Sequence, residues 1–318
     1  MYKLIRFFNQ NRRKILIVIL IIVFLLAIIQ LLNYLAKNDA TINVVTNNNI
    51  SNTTNKQEQL VSNQSAVSGD TISSSKLQRD TDIIDKFFNF CNDGDNNSAY
   101  ELITDECKEE MFPTIEDFIN IYTSKVFGNE KKTYTLENWV GDTYAVRISG
   151  DILSTGNLDS SQTKQDYITI VNDGDDYKLN INNYVGRTVL NKETENQDIK
   201  VIINSKDTYM DYEIYDITVE NNSENRIALD PNNDTKSVYL LDSKNMKYYF
   251  YNNEIVEDTL IVKSKFKTNL KIKFGNSYSS SREIKDVVFS KMILDYDEYL
   301  NLEDKSEYNN FYEFRASV

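Results

Sequence analysis

Tyr167-Ile-Thr-Ile-Val-Asn-Asp-Gly-Asp-Asp-Tyr-Lys-Leu-Asn-Ile181 is the stretch from which the fold is read. Tyr167 to Val171 on one side, and Tyr177, Leu179 and Ile181 on the other, carry apolar side chains at the two-residue period of a strand. Asn172-Asp-Gly-Asp-Asp176 between them is turn chemistry, so the whole predicts a hairpin. Working back along the chain, Tyr144, Val146 and Ile148 alternate again, as do Tyr134 and Leu136, with Val140-Gly-Asp142 turning between them. Before Gly128 the period becomes helical. Thr114 and Asp117 form a capping box ahead of Ile115, Phe118, Ile119, Tyr122 and Val126. Ser98 can cap a helix with Ala99, Leu102, Ile103, Cys107 and Met111 inward. Asp80 or Thr81 can cap one with Ile83, Ile84, Phe87, Phe88 and Cys91 on one face. Three helices followed by an antiparallel sheet are therefore expected over 80–192.

The remainder reads as strands. Ile199, Val201 and Ile203 alternate, and Tyr212 to Val219 follows, closed by the turn Asn221-Asn-Ser-Glu224. Further strands are expected near Ile227–Leu229, Val238–Leu241, Met246–Tyr251, Thr259–Val262, Leu270–Phe274 and Val287–Leu294. Short strands with frequent turns predict an all-β sandwich over 196–296. The acidic, aromatic tail 297–318, with Tyr299, Tyr308, Phe311, Tyr312 and Phe314, either packs back on the sandwich or stays mobile. The fold class expected is an α+β cone-like domain plus an all-β sandwich, behind one N-terminal transmembrane helix and a disordered linker.

Helices followed by a curling sheet that ends in Gly174-Asp-Asp-Tyr-Lys-Leu-Asn-Ile181 resemble the nuclear-transport-factor-two-like cone domains, over about residues 78–190. That family hosts enzymes, ligand cups and assembly modules alike, so it implies a fold and not an activity. Ile217-Thr-Val-Glu-Asn-Asn-Ser, Val238-Tyr-Leu-Leu-Asp-Ser-Lys-Asn-Met-Lys-Tyr248 and Leu270-Lys-Ile-Lys-Phe274 are similar to the telokin-like immunoglobulin domains of exported bacterial proteins, over about 197–296. This resemblance implies adhesion or assembly.

Location is read from the N-terminus. Ile15 to Ile29 is uninterrupted apolar sequence and, with Leu31, Leu32 and Leu35, gives about 21 residues, enough to cross a hydrocarbon core. Residues 1–14, a cytoplasmic tail, hold Lys3, Arg6, Arg12, Arg13 and Lys14 and no acid. The positive-inside rule then places everything beyond the 15–36 helix outside the cytoplasm. Gln30 to Lys37 contains no small-x-small cleavage site, and the first cysteine is Cys91, so an uncleaved anchor is expected. Residues 37–79 are rich in Asn, Ser, Thr and Gln and read as a disordered linker.

Formal charge is −13, and setting aside the +5 of residues 1–36 leaves −18 for the rest. Such a chain repels nucleic acid. The sequence contains 0 histidines, which removes the commonest general base, the usual zinc ligand and any histidine-paired nucleophile. No catalytic residue, metal ligand or cofactor is nominated. The acidic turns at Asp93, Asp173 and Asp230 lack calcium-loop spacing and read as turn chemistry. Cys91 and Cys107, on inward faces of adjacent helices, are either a disulfide or two buried small hydrophobes. Trp139, Tyr144, Tyr167 and Tyr184 are the candidate lining of a cone pocket, with ordinary core packing as the alternative. Lys263, Lys265 and Lys267 on one strand face, with Lys271 and Lys273 on the next, could meet an anionic wall polymer or simply discourage edge pairing. The expectation is a single-pass, non-enzymatic interaction or assembly protein of the bacterial cell envelope with envelope or membrane protein partners. The alternatives are a conjugative type IV secretion assembly component and a small-ligand receptor or enzyme using the cone pocket.

Overall fold

A computed structural model of the chain describes residues 63–150, 163–174, 176–231, 236–250, 260–278 and 282–318. All of them belong to one compact unit, Ser51–Val318. The expected cytoplasmic tail 1–14, the expected membrane helix 15–36 and residues 37–62 of the expected linker lie outside the described residues. Among the described residues no helix is long and apolar enough to cross a membrane.

Helix α1 (Ser74–Asp93) starts six residues before the expected Asp80. Ser73 is its cap, accepting the Lys76 amide, and Gly94 ends it at φ 74°. Asp80 therefore stands in mid-helix, buried on the same stripe as Leu77, Ile84, Phe87, Phe88 and Cys91. The linker assignment fails over 63–79 as well. Gln64 bridges Thr71, and the amides of Ala66 and Val67 bond the Asn138 and Trp139 carbonyls at 2.8 and 3.3 Å.

The expected second helix is broken in two, α2 (Asn96–Glu101) and α3 (Asp105–Met111), capped by Asp95 and Thr104. The break occurs because the backbone of Leu102 and Thr104 bonds Leu179 instead, at 2.8 and 3.1 Å. Helix α4 (Ile115–Phe118) has the expected Thr114–Asp117 capping box and continues through a π turn, Ile119–Thr123, into α5 (Ser124–Val126). Strands β1 (Lys132–Val140), β2 (Thr143–Gly150), β3 (Lys164–Asp173) and β4 (Asp176–Asn180) form an antiparallel meander. Its inward residues Tyr134, Leu136, Tyr144, Val146, Ile148, Ile168, Ile170 and Leu179 close one core with the helices. A fully buried Phe such as Phe87 contributes roughly 1.5–3 kcal/mol by leaving water.

The rest is β-rich and antiparallel, compatible with a β-sandwich. One sheet has the order β12 (Lys267–Gly275), β7 (Tyr212–Asn221), β6 (Ile199–Tyr209), β5 (Tyr184–Glu195). The other runs β10 (Lys247–Tyr249), β9 (Val238–Asp242), β13 (Ile284–Met292), β14 (Tyr312–Ser317), and β8 (Ile227–Ala228) pairs with β11 (Ile261–Val262). Their facing residues, among them Val201, Ile217, Ile272, Leu240 and Phe289, close a second core. The tail does pack back. After the short helix α6 (Tyr296–Leu300), β14 pairs with β13 and buries Phe314 and Ala316.

The expected boundary between 192 and 196 falls at the end of β5, which pairs along its length with β6. Tyr184 of β5 and Tyr209 of β6 belong to the first core, while Ile199, Val201 and Ile203 of β6 belong to the second. A shared ladder, rather than a linker, connects the two cores.

Candidate functional site

Buried carboxylates mark the places where this sequence departs from simple packing. Asp80 is 0% exposed, and an isolated charge there would be costly. Its carboxylate accepts from Lys76 Nζ at 2.6 Å, Arg79 Nε at 2.9 Å and Tyr144 Oη at 2.7 Å. Asp166 on β3 accepts from Tyr122 Oη at 2.7 Å and from the amides of Tyr167, Asn182 and Asn183. It thereby holds a β4–β5 turn in which Asn182 and Asn183 both sit at positive φ, 59° and 65°. Asp207 on β6 accepts from Tyr184 Oη and Arg187 Nε, both at 2.8 Å.

Arg187 also reaches Glu109 of α3 at 2.8 Å, and Glu110 beside it pairs with Lys271 at 2.8 Å. These contacts pin α3 to β5, β6 and β12. Burial, reinforced by the neighbouring carboxylates, pushes the hydroxyls of Tyr122, Tyr144 and Tyr184 upward. Burial also raises Asp166 against the hydrogen bonds it accepts. Hydrogen bonding to Asp207 holds Arg187 up.

The four aromatics expected to line one pocket do not converge. Tyr144 and Tyr184 are fully buried and spent on Asp80 and Asp207. Trp139 and Tyr167 are half-buried and meet each other edge-on at 5.3 Å. Cys91 and Cys107 are buried free thiols, so the disulfide alternative is not what the structure holds. Burial pushes Cys107 up to about 12 and Cys91 higher still.

The lysine row is also divided. Lys263 to Lys267 is not a strand face, because the chain turns there, with Lys265 at φ 54° and the Phe266 amide bonding the Lys263 carbonyl at 3.2 Å. Lys265 pairs with Glu224 at 2.9 Å. On β12, Lys271 pairs with Glu110, and Lys273 lies 3.9 Å over the Tyr212 ring. Among the described residues no group of three Cys, Asp or Glu side chains is placed to hold a metal ion.

Two concave regions are built instead. A groove of about 730 Å³ lies between α1 and β4, lined by Ile83, Leu102 and Tyr177. The Arg79 guanidinium lies 4.0 Å over the Tyr177 ring, and Asp82, Lys86 and Lys178 also line the groove. A smaller polar cleft of about 400 Å³ opens where β5 and β6 meet the chain leaving β12. Neither was legible in sequence. The residues of each come together only through the β3–β4 and β5–β6 pairings, and the one local signal was an aspartate, Asp80, interrupting an apolar helical stripe.

No family model matches the chain, and no curated protein matches it. Among solved structures it is similar to one titled 2.2 Angstrom crystal structure of conserved hypothetical protein from Bacillus anthracis. That similarity is at 9% identity and a TM-score of 0.25, covering 42% of this chain and 96% of that one.

Proposed function

We propose that this chain is a non-enzymatic interaction or assembly protein of a bacterial cell envelope, anchored through residues 15–36 with its folded part outside the cytoplasm. The observation that carries the reading is the fate of its acids. Asp80, Asp166 and Asp207 are each closed by tyrosine, cationic or backbone donors. Their tyrosine partners are shifted upward, away from the range in which a general base works near neutral pH. The groups that acid–base chemistry would use are spent on the fold, and what is turned outward is acidic surface and two concave regions. The basic, acid-free residues 1–14 support the orientation.

Within this reading the helices and four-stranded meander form a cone domain of the nuclear-transport-factor-two-like kind, supported by their single shared core. The two facing sheets form a telokin-like immunoglobulin sandwich, supported by theirs. The partners are envelope or membrane proteins. A second reading, a small-ligand receptor, is favoured by the α1–β4 groove, whose volume lies in the range of ligand sites. Crosslinking in intact cells followed by capture of the full-length chain tests the proposal. A specific membrane or envelope protein should be recovered, and external protease should remove epitopes beyond residue 80 while sparing residues 1–14. Turnover of peptidoglycan, peptide, ester or phosphate substrates, abolished by one Asp, Glu or Tyr substitution in a folded variant, would contradict it.

A further inference from the structure

The polar cleft between β5, β6 and the chain after β12 carries a more specific inference. It is fixed on every side. The Asn276 amide bonds the Asp211 carbonyl at 3.1 Å and the Tyr278 amide bonds the Met210 carbonyl at 2.9 Å, tying one wall to the β6–β7 turn. On the other wall Gly186 stands at φ 155°, and a Cβ there would lie 3.4 Å from Asn180 Nδ2. Thr208, Glu213 and Asn276 are buried lining residues, so the shape is set by the fold rather than by loose surface side chains.

Charge decides what such a cleft can hold. Three lining residues are cationic, Arg187, Lys206 and Arg282, and one, Glu213, is anionic. Arg187 is already committed to Asp207, Glu109 and Glu110 behind it. Glu213 is committed to Lys206 at 2.9 Å and to Tyr215 Oη at 3.2 Å. That leaves the ammonium of Lys206 and the guanidinium of Arg282, whose charges are not cancelled within the cleft. Arg282 is exposed, with Nη1 donating to Asn276 Oδ1 at 2.8 Å and its plane 4.2 Å over the Tyr248 ring. Stacking of this kind keeps a guanidinium oriented while its remaining N–H edges stay available, an arrangement suited to a planar or tetrahedral oxyanion. A cationic ligand would meet two like charges, and a neutral one would leave both cations unanswered.

We infer that this cleft binds an oxyanion, a phosphate ester or carboxylate carried on a small polar molecule or polymer unit. The inference does not depend on the anchor or on the identity of protein partners. It moves the anionic contact away from the lysine row, where Lys265 and Lys271 are already paired.

The test uses the full-length chain in a polyoxyethylene detergent, which carries neither phosphate nor sugar, titrated at low salt with inorganic phosphate and with glycerol 3-phosphate. Saturable binding to wild type is expected, weakened at least tenfold by Arg282→Glu and retained in part by Arg282→Lys. Lys267→Glu, at the far end of β12 and outside the cleft, should leave it unchanged. Competition by added phosphatidylglycerol but not phosphatidylcholine would assign the oxyanion to a lipid headgroup, and its absence to a soluble ester. Absence of saturable binding to wild type overturns the inference. So does equal binding by a folded Arg282→Glu variant, or equal occupation by glucose.

Discussion

Between the sandwich sheets the buried cluster holds one hydroxyl, that of Tyr215, whereas the core under α1 takes in five tyrosines. Each of those five donates to a carboxylate: Tyr122 to Asp166, Tyr134 to Asp85, Tyr144 to Asp80, Tyr184 to Asp207 and Tyr209 to Glu110. The second core is held by the shape and area of aliphatic and Phe side chains, which tolerate exchange if volume is kept. The first adds directional bonds whose loss leaves a buried acid short of a donor, which costs more than the bond was worth. In a chain without histidine, tyrosine is the neutral donor that closes these acids.

The largest effects should be common to both cores. Phe87→Ala under α1 and Phe289→Ala between the sheets remove fully buried rings, and each should cost about 3–5 kcal/mol in urea unfolding followed by circular dichroism. A cost below about 1 kcal/mol at either position would mean that its core is not packed as described. Next comes the junction. Arg187→Gln strips the buried Asp207 of its cation and should cost roughly 3 kcal/mol.

The two cores should separate with tyrosine-to-phenylalanine changes. Tyr144→Phe deprives Asp80 of one donor and should cost about 1–3 kcal/mol. Tyr215→Phe should cost less, because Glu213 keeps Lys206. Equal costs would remove the distinction between clamped and merely packed cores.

How far the sequence went follows the same division. Alternation at Val201, Ile217 and Ile272 located the strands of the second core because period two has one physical meaning there. The meander was legible for the same reason, as was the Thr114–Asp117 cap. The start of α1 was missed because Asp80 looked like a cap, when its charge is instead taken up by Lys76, Arg79 and Tyr144, the last of them 64 residues away. The break after Glu101 was hidden because it depends on Leu179, far along the chain. The cleft was invisible since Lys206, Glu213 and Arg282 meet only once β5, β6 and β12 are in register.

Smaller effects should appear in pH titrations. Tyr122, Tyr144 and Tyr184 are raised by burial, so the stability they contribute is whole below the ordinary tyrosine value near 10. It is lost as pH climbs above that value toward their folded pKa values. Absorbance near 295 nm should show these hydroxyls ionising only as the first core unfolds. Ionisation of every tyrosine near pH 10 in a folded chain would refute it.

At the acid end the two regions should oppose each other. Asp242 of β9 is lowered, chiefly by the Met246 amide, so its contribution is present above the ordinary aspartate value and lost as pH falls through its folded value. Asp166 is raised by burial, so acidification relieves its penalty. Asp242→Asn should therefore flatten the acid loss of stability and Asp166→Asn should steepen it. Slopes moving in the same direction would contradict the assignment.

The central claim is that β5 and β6 join the two cores into one cooperative body, and the chain's single tryptophan reports on it directly. Trp139 lies on β1, the strand that gives Tyr134 and Leu136 to the first core, while Phe289 lies in the second. Urea unfolding of Phe289→Ala should be followed by Trp139 fluorescence and by circular dichroism together. The account predicts one transition, with the Trp139 midpoint displaced from wild type as far as the circular dichroism midpoint. A Trp139 midpoint that stays at its wild-type position while circular dichroism shifts would show two independent domains and contradict it.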